Sequence, residues 1–373
     1  MKHLRNFFTM APSQRDHYPA ARIALGVALP LLVVLAMGRI DLTIYAAFGA
    51  FAGIYARSET YRSRFQHQAI AGMLLLFCIG LGTVFASLGA TPWAVVMTTA
   101  VIAGGGSVAA DYWGLRPGGS LFFVFAFAAV ASLPDVPPLW QALLVGTCST
   151  LLSLLLGLAA AVPARVRGLR NDAVRNRPAR NGSDSAVGNG AVRNGSVPAS
   201  PQSTAGQRSR GWNVLLIHAL RYLVAAGIAG SIATMAGIGH SYWAMVAAVV
   251  PIAAPTLTGR LTRAVHRIVG TLGGVGVTAV ILSLPLEAWH IVLLIVALQF
   301  LAEMFVMRHY TLALFFITPL ALLMSYVVTQ GDAVQLLVDR TVETVIGALV
   351  GVVVVVLMRD RAKALGGPGT PRG

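Results

Sequence analysis

Windows of about 18–24 residues with almost no charged side chain recur along this chain, each long enough to cross a hydrocarbon core of about 30 Å as a helix. In lipid a spanning segment must satisfy its own backbone N–H and C=O groups, which leaves apolar windows of this length no choice but the helix. Of 373 residues, 56% are hydrophobic and 11% charged, against about 25% charged in a soluble domain. The sequence is therefore read as an all-α polytopic membrane protein of about twelve transmembrane helices. The expected spans are 20–37, 42–56, 67–88, 91–110, 118–133 and 138–162, then 214–236, 241–257, 264–284, 288–306, 309–329 and 334–357.

A formal net charge of +15 would suggest nucleic acid in a soluble chain, but its distribution argues otherwise. Arginine and lysine gather in the N-terminal tail, in 57–66, at Arg116, in 163–213, in 258–267, at Arg308 and in the C-terminal tail. The alternate loops carry Asp41, Asp135, Glu287 and Asp332, with Arg39 as their one basic residue. This is the positive-inside pattern, which places both termini on the cytoplasmic side of the plasma (cell inner) membrane. The charge is topological: the partner it implies is membrane lipid, not nucleic acid.

Cys78 and Cys148 lie in separate apolar windows and support neither a disulfide framework nor a metal motif. Walker A, metal-ligand and G-x-S-x-G patterns are missing from the sequence, so no cofactor and no enzymatic activity are expected. Residues 2–37 begin basic and turn apolar, but the run is long and lacks a small-x-small cleavage site, so the first helix is expected to be retained.

Residues 165–213 break the pattern with a run rich in Asn, Gly, Ser, Pro and Arg. Such a segment cannot bury enough apolar surface to offset its ordering entropy and is expected to be a disordered cytoplasmic linker. A flexible chain of that size reaches about 35–40 Å, enough to pass across a six-helix half. The expected organisation is a six-helix repeat over 1–164, the linker, a second six-helix repeat over 214–358 and a cytoplasmic tail over 359–373. At an offset of 199, Arg22, Gly38, Arg64 and His67 fall on Arg221, Gly237, Arg263 and His266. At 192, Asp111 and Arg116 fall on Glu303 and Arg308. An even number of spans in each half makes the repeats parallel, about an axis along the membrane normal.

The last span carries Asp339, Arg340 and Glu343 where loop residues are far away. Their i,i+3 and i,i+4 spacing puts them on one helical face. Counting 1.5 Å per residue from the outer end sets Glu343 about 14 Å deep. Two readings stay open: an ion pair locking the helix to a neighbour, or an anion site at Arg340 with a proton exchanged at Glu343 or Asp339. Arg260, Arg263 and Arg267 share a face at the start of the ninth span, as topology anchors or as a funnel for organic anions, and Arg64 is their N-terminal counterpart. His266 and His67 sit at one membrane boundary, structural or part of a proton relay. Asp111 and Glu303, each five residues before an arginine, are expected to form salt bridges at headgroup level. Pro251 and Pro255 in the eighth span and Pro319 in the eleventh are expected helix breaks, and Gly104-Gly105-Gly106 is either the N-terminal candidate for a break or a site of close helix packing. Tyr242, Trp243 and Trp289 fit an outer aromatic belt.

Tyr242-Trp243, Pro251, Arg260, Arg263 and Arg267-Ile-Val-Gly270-Thr271 together resemble the helix-loop-helix pattern of the fusaric-acid-resistance family, which includes aromatic acid exporters. Arg308-His-Tyr310 with Thr318-Pro319-Leu320, and Arg340-x-x-Glu343-Thr344-x-x-Gly347, are similar to that family's last two helices. The resemblance covers 214–357, and more weakly the N-terminal half through Tyr45, Gly49, Arg64 and Gly72. Two features depart from it. A linker replaces the cytoplasmic domain found in many members, and Thr147 and Thr150 stand where the last helix has Arg340 and Glu343. The resemblance implies secondary export of organic, chiefly aromatic, carboxylic acids, with a small organic anion as substrate. A passive anion channel and a non-transporting accessory or scaffold subunit are the alternatives, and a homo-oligomer or an accessory efflux protein stays open as a partner.

Overall fold

The computed structural model describes residues 17–159, 212–254, 256–329 and 331–358. The expected tail and Pro255 lie outside the described residues, as does nearly all of the expected linker. The described chain is all-helical, with twelve α-helices and no strand among these residues. They are α1 His17–Ala36, α2 Thr43–Ala50, α3 Tyr61–Ser87, α4 Pro92–Trp113, α5 Leu121–Ala131 and α6 Leu139–Ala159. The second group is α7 Trp212–Met235, α8 Tyr242–Ile252, α9 Leu257–Leu282, α10 Ala288–Phe305, α11 Tyr310–Thr329 and α12 Ala333–Leu357.

Local chemistry sets several boundaries. Thr91 caps α4 by accepting from Ala94 N, Pro92 occupies its first turn, and Gly114 ends it with φ of 65°, a left-handed stop that glycine adopts without a Cβ clash. Thr256 caps α9 through Gly259 N, and Asp332 caps α12 through Val334 N.

Each expected span holds a helix, but the helices are not of equal length. Eight are long and apolar enough to cross a membrane, whereas Ile40–Ile54, Leu121–Ala131, Tyr242–Ile252 and Trp289–Phe305 are shorter. The expected span 42–56 is α2 flanked by 3₁₀ turns at Ile40–Leu42 and Phe51–Ile54. The reason is packing: every residue of α2 and of α8 is buried. A helix enclosed by other helices need not match the lipid thickness, because protein rather than lipid surrounds its ends.

In the C-terminal six, α12 packs on α8, and α9 packs on α11 and α12; in the N-terminal six, α6 packs on α2, and α3 on α5 and α6. The two sixes meet through α4 against α7, α10 against α1, α5 against α8, and α11 against α2. Glycines permit the tightest crossings. A Cβ on Gly347 would overlap the Ala244 carbonyl oxygen, and one on Gly49 would overlap that of Gly146. Gly347 and Gly351 form a small-x-x-x-small stripe that lets α12 lie backbone-to-backbone on α8.

Two expected helix breaks are corrected here, and the open reading of the glycine triplet is decided for packing. Gly104-Gly105-Gly106 does not interrupt α4; Gly104 packs against Ala219 and Leu223 of α7, and Gly106 against Ser120 and Phe123. Pro319 lies inside α11, which runs on as helix to Thr329, and Pro251 lies one residue before the end of α8. Thr150 donates to Gly49 O at 3.0 Å, which ties α6 to the α2 backbone.

Candidate functional site

The buried face of α12 runs Leu336, Asp339, Arg340, Glu343, Thr344, Gly347, Ala348, Gly351, a helical stripe that includes all three charged residues. Its glycines draw α8 close, and that contact carries Trp243 onto Arg340. The Arg340 guanidinium carbon lies 3.8 Å from the Trp243 ring centre, a cation–π arrangement in a site closed to solvent. Trp243 is 1% exposed and Tyr242 5%, so neither belongs to the outer belt expected for them, whereas Trp289 is exposed. The ring of Phe125, from α5 in the other six, lies 4.7 Å from Trp243 and stacks on Tyr242 at 6.4 Å.

Phe125 also borders a cavity of about 20 Å³ between the two sixes, lined by Phe48 and Phe51 on one side and Leu320, Met324 and Ser325 on the other. That volume holds about one water. The Tyr242 hydroxyl meets Ser325, so Arg340 is one aromatic layer from the seam.

Arg340 is 1% and Glu343 0% exposed, and no ion pair joins them among the described residues. Nε and Nη1 of Arg340 and both carboxylate oxygens of Glu343 are buried without a hydrogen-bond partner, as are Thr344 Oγ1, Trp243 Nε1, Arg267 Nε, Thr271 Oγ1 and Thr318 Oγ1. Of the two open readings, the locking ion pair is not formed by Arg340 and Glu343, which interact electrostatically but leave these four buried atoms of their own without a hydrogen bond. Asp339 alone of the three is fully engaged. It receives Gln335 Nε2 at 2.5 Å on Oδ1 and faces His240 Nδ1 at 2.9 Å on Oδ2.

The three α9 arginines do different things. Arg260 donates Nε to Ala254 O at 2.8 Å. Arg263 is exposed and lies 5.8 Å from the Tyr310 ring centre. Arg267 is 3% exposed and acts electrostatically on Arg340, as does Tyr310. Arg263, Arg267 and Arg340 therefore form a ladder from the basic end of the bundle to the buried site. Arg64 is held to the backbone, donating to Gly157 O at 3.1 Å and Glu59 O at 2.6 Å. His266, 8% exposed, pairs through Nδ1 with Thr311 Oγ1 at 2.6 Å. His67 faces Glu59 at 2.6 Å.

Asp111 and Glu303 find partners across the seam rather than in their own helices. Arg57 Nη1 donates to Glu303 Oε2 at 2.8 Å and to Glu303 O at 2.7 Å, joining the α2–α3 connection to α10. Asp111 of α4 lies 3.9 Å from His218 of α7. Sequence reasoning missed His240, Gln335 and Arg57: Gln335 stands one α12 turn before Asp339, an i,i+4 spacing that could have been read, whereas only the fold brings His240 to Asp339 and Arg57 to Glu303.

The sequence profile of the family described as fusaric acid resistance protein-like matches residues 228–354. An uncharacterized membrane protein of Bacillus subtilis (strain 168), YvaC, is 31% identical over 148 residues, which is 39% of this chain and 24% of that relative. The chain thus spans about a quarter, 24%, of the curated relative it matches. No solved structure matches. The polytopic helical architecture agrees with this match, and the Arg340 site lies within residues 228–354, the part of the chain that resembles the fusaric acid resistance protein-like family.

Proposed function

We propose that the chain is a secondary exporter of organic, chiefly aromatic, carboxylate anions in the plasma membrane, with both termini cytoplasmic. The observation that carries this reading is that Nε and Nη1 of Arg340 and both carboxylate oxygens of Glu343 lack hydrogen bonds deep in the bundle. Each buried polar group left without a hydrogen bond costs about 1–3 kcal/mol, more for a charged one, and a charge held inside a membrane bundle at that cost marks a ligand or proton path. A guanidinium fork matches a carboxylate bidentately, and the aromatic body of the substrate would pack beside Tyr242 and Trp243. Arg263 and Arg267 would draw the anion inward from the basic end. Glu343 would take up a proton as the anion leaves.

The seam is closed in this conformation, since a cavity of about 20 Å³ admits no aromatic acid. Transport therefore requires the two sixes to part at the Phe48–Phe125–Leu320 layer, as in rocking of parallel repeats about a fixed site. The same closure disfavours a permanently open anion channel.

The test uses inverted membrane vesicles, radiolabelled benzoate and an imposed pH gradient. Arg340→Gln should abolish uptake, and Glu343→Gln should remove its pH-driven part while the protein stays monodisperse in detergent. Uptake in Arg340→Gln at the wild-type rate overturns the reading.

A further inference from the structure

At the end of the bundle opposite the basic loops, a cavity of about 170 Å³ is lined by His240, Tyr326, Asp332 and Gln335. Asp339 lies behind this lining, bonded to two of its residues, His240 and Gln335. Exposure falls in steps along this line. The side chain of His240 is 26% exposed and that of Asp339 4%, while Glu343, one α12 turn deeper, is 0% exposed with both oxygens unpartnered. Asp339 and Glu343 are i,i+4 neighbours, with Cβ atoms about 5–6 Å apart, and they interact electrostatically.

The N-terminal half offers an internal comparison. The 199-residue offset matches His240 to Asp41, and there Arg39 neutralises Asp41 at 2.7 Å with side chains 40% and 46% exposed. Arg39 also donates to Gln141 at 2.8 Å. That cluster is a surface pair with no carboxylate behind it among the described residues. Among those residues, the C-terminal half alone joins a cavity, an imidazole and two successively deeper carboxylates.

We infer that the His240–Asp339 pair is the proton port of the exporter, connecting the 170 Å³ vestibule to Glu343. This rests on the transport reading above. A proton from solvent in the vestibule binds Nε2 of His240, and the proton on Nδ1 passes to Oδ2 of Asp339, which returns the imidazole to neutrality. The Asp339 carboxyl then yields that proton to the Glu343 carboxylate and becomes ionised again. Gln335 keeps Asp339 oriented by holding Oδ1. The charged and titratable groups facing this line are Asp332, Arg340 and Glu343 on α12, Tyr242 on α8, Tyr326 on α11 and Arg267 on α9; those of α7 (His218, Arg221, Tyr222) lie toward its other end.

The test reconstitutes the full chain in liposomes holding the pH dye pyranine and follows two fluxes of benzoate over protein-free controls. One is tracer exchange at symmetric pH, which needs no net proton movement; the other is accumulation driven by a pH gradient. His240→Gln and Asp339→Asn should keep exchange near the wild-type rate, showing a folded site, and lose about tenfold or more of the proton-driven accumulation and its dye signal. Unchanged proton-driven accumulation in both variants overturns the port. Loss of exchange as well overturns it by placing these residues in the anion path or the fold. A wild-type protein that exchanges benzoate but moves no proton overturns the port and leaves anion transport standing. A wild-type protein with no benzoate flux sinks the transport reading, and the port with it.

Discussion

The guanidinium of Arg340 lies over the ring of Trp243, 3.8 Å from the ring centre, a contact between α12 and α8 made deep in the bundle. A desolvated cation over an indole face gains about 2 kcal/mol, and an exposed one about 0.5–1. Trp243→Phe should keep part of that attraction and Trp243→Leu none. Thermal unfolding in detergent should rank them wild type, Phe, Leu. A Leu variant as stable as the Phe variant would show that the ring matters by volume alone.

Gly347 is where α12 touches the α8 backbone, since any Cβ there meets the Ala244 carbonyl. Gly347→Ala should destabilise by about 1–3 kcal/mol through overpacking, and Gly347→Leu should prevent a monodisperse protein. Gly105, with nothing within 4 Å of its Cβ position, is the control: Gly105→Ala should be neutral or gain about 0.5–1 kcal/mol from reduced chain entropy. Size-exclusion profiles and denaturation midpoints distinguish the two sites.

Arg57 and Glu303 join the two sixes with side chains only 9% and 7% exposed. Removing one partner of a buried pair costs about 3–5 kcal/mol, because the other charge is stranded, whereas replacing both is often far milder. Arg57→Met and Glu303→Leu should each destabilise strongly, and the double variant should recover most of the loss. Additive effects in that cycle would mean the two charges are not coupled.

The positive-inside orientation is open to direct labelling. In a background lacking Cys78 and Cys148, Ser58→Cys should react with a membrane-impermeant maleimide only from the cytoplasmic side. Asp135→Cys should react only from the other. The reverse pattern would invert the topology and turn the His240 vestibule toward the cytoplasm.

The all-helical, membrane-spanning character was legible because uncharged windows leave the backbone no alternative, and the α12 stripe was legible because 339, 340 and 343 share a helical face. What the stripe faces was not. α8 is apolar on every side, so its pattern gives no phase, and Tyr242 and Trp243 read as a belt when they are core. Short windows such as 241–257 gave no sign that neighbours would enclose them. Glu303 has Arg308 five residues away in sequence, yet its partner Arg57 comes from the other six through a contact that no local spacing encodes.

The shortness of α8 has an electrical consequence. Eleven residues rise about 16 Å, half the thickness of the surrounding hydrocarbon, and the vestibule beside His240 brings a polar medium to one end of it. Where a polar medium reaches the end of α8, more of the transmembrane voltage falls along the length of that helix, and a unit charge crossing the full voltage gathers about 2.3 kcal/mol per 100 mV.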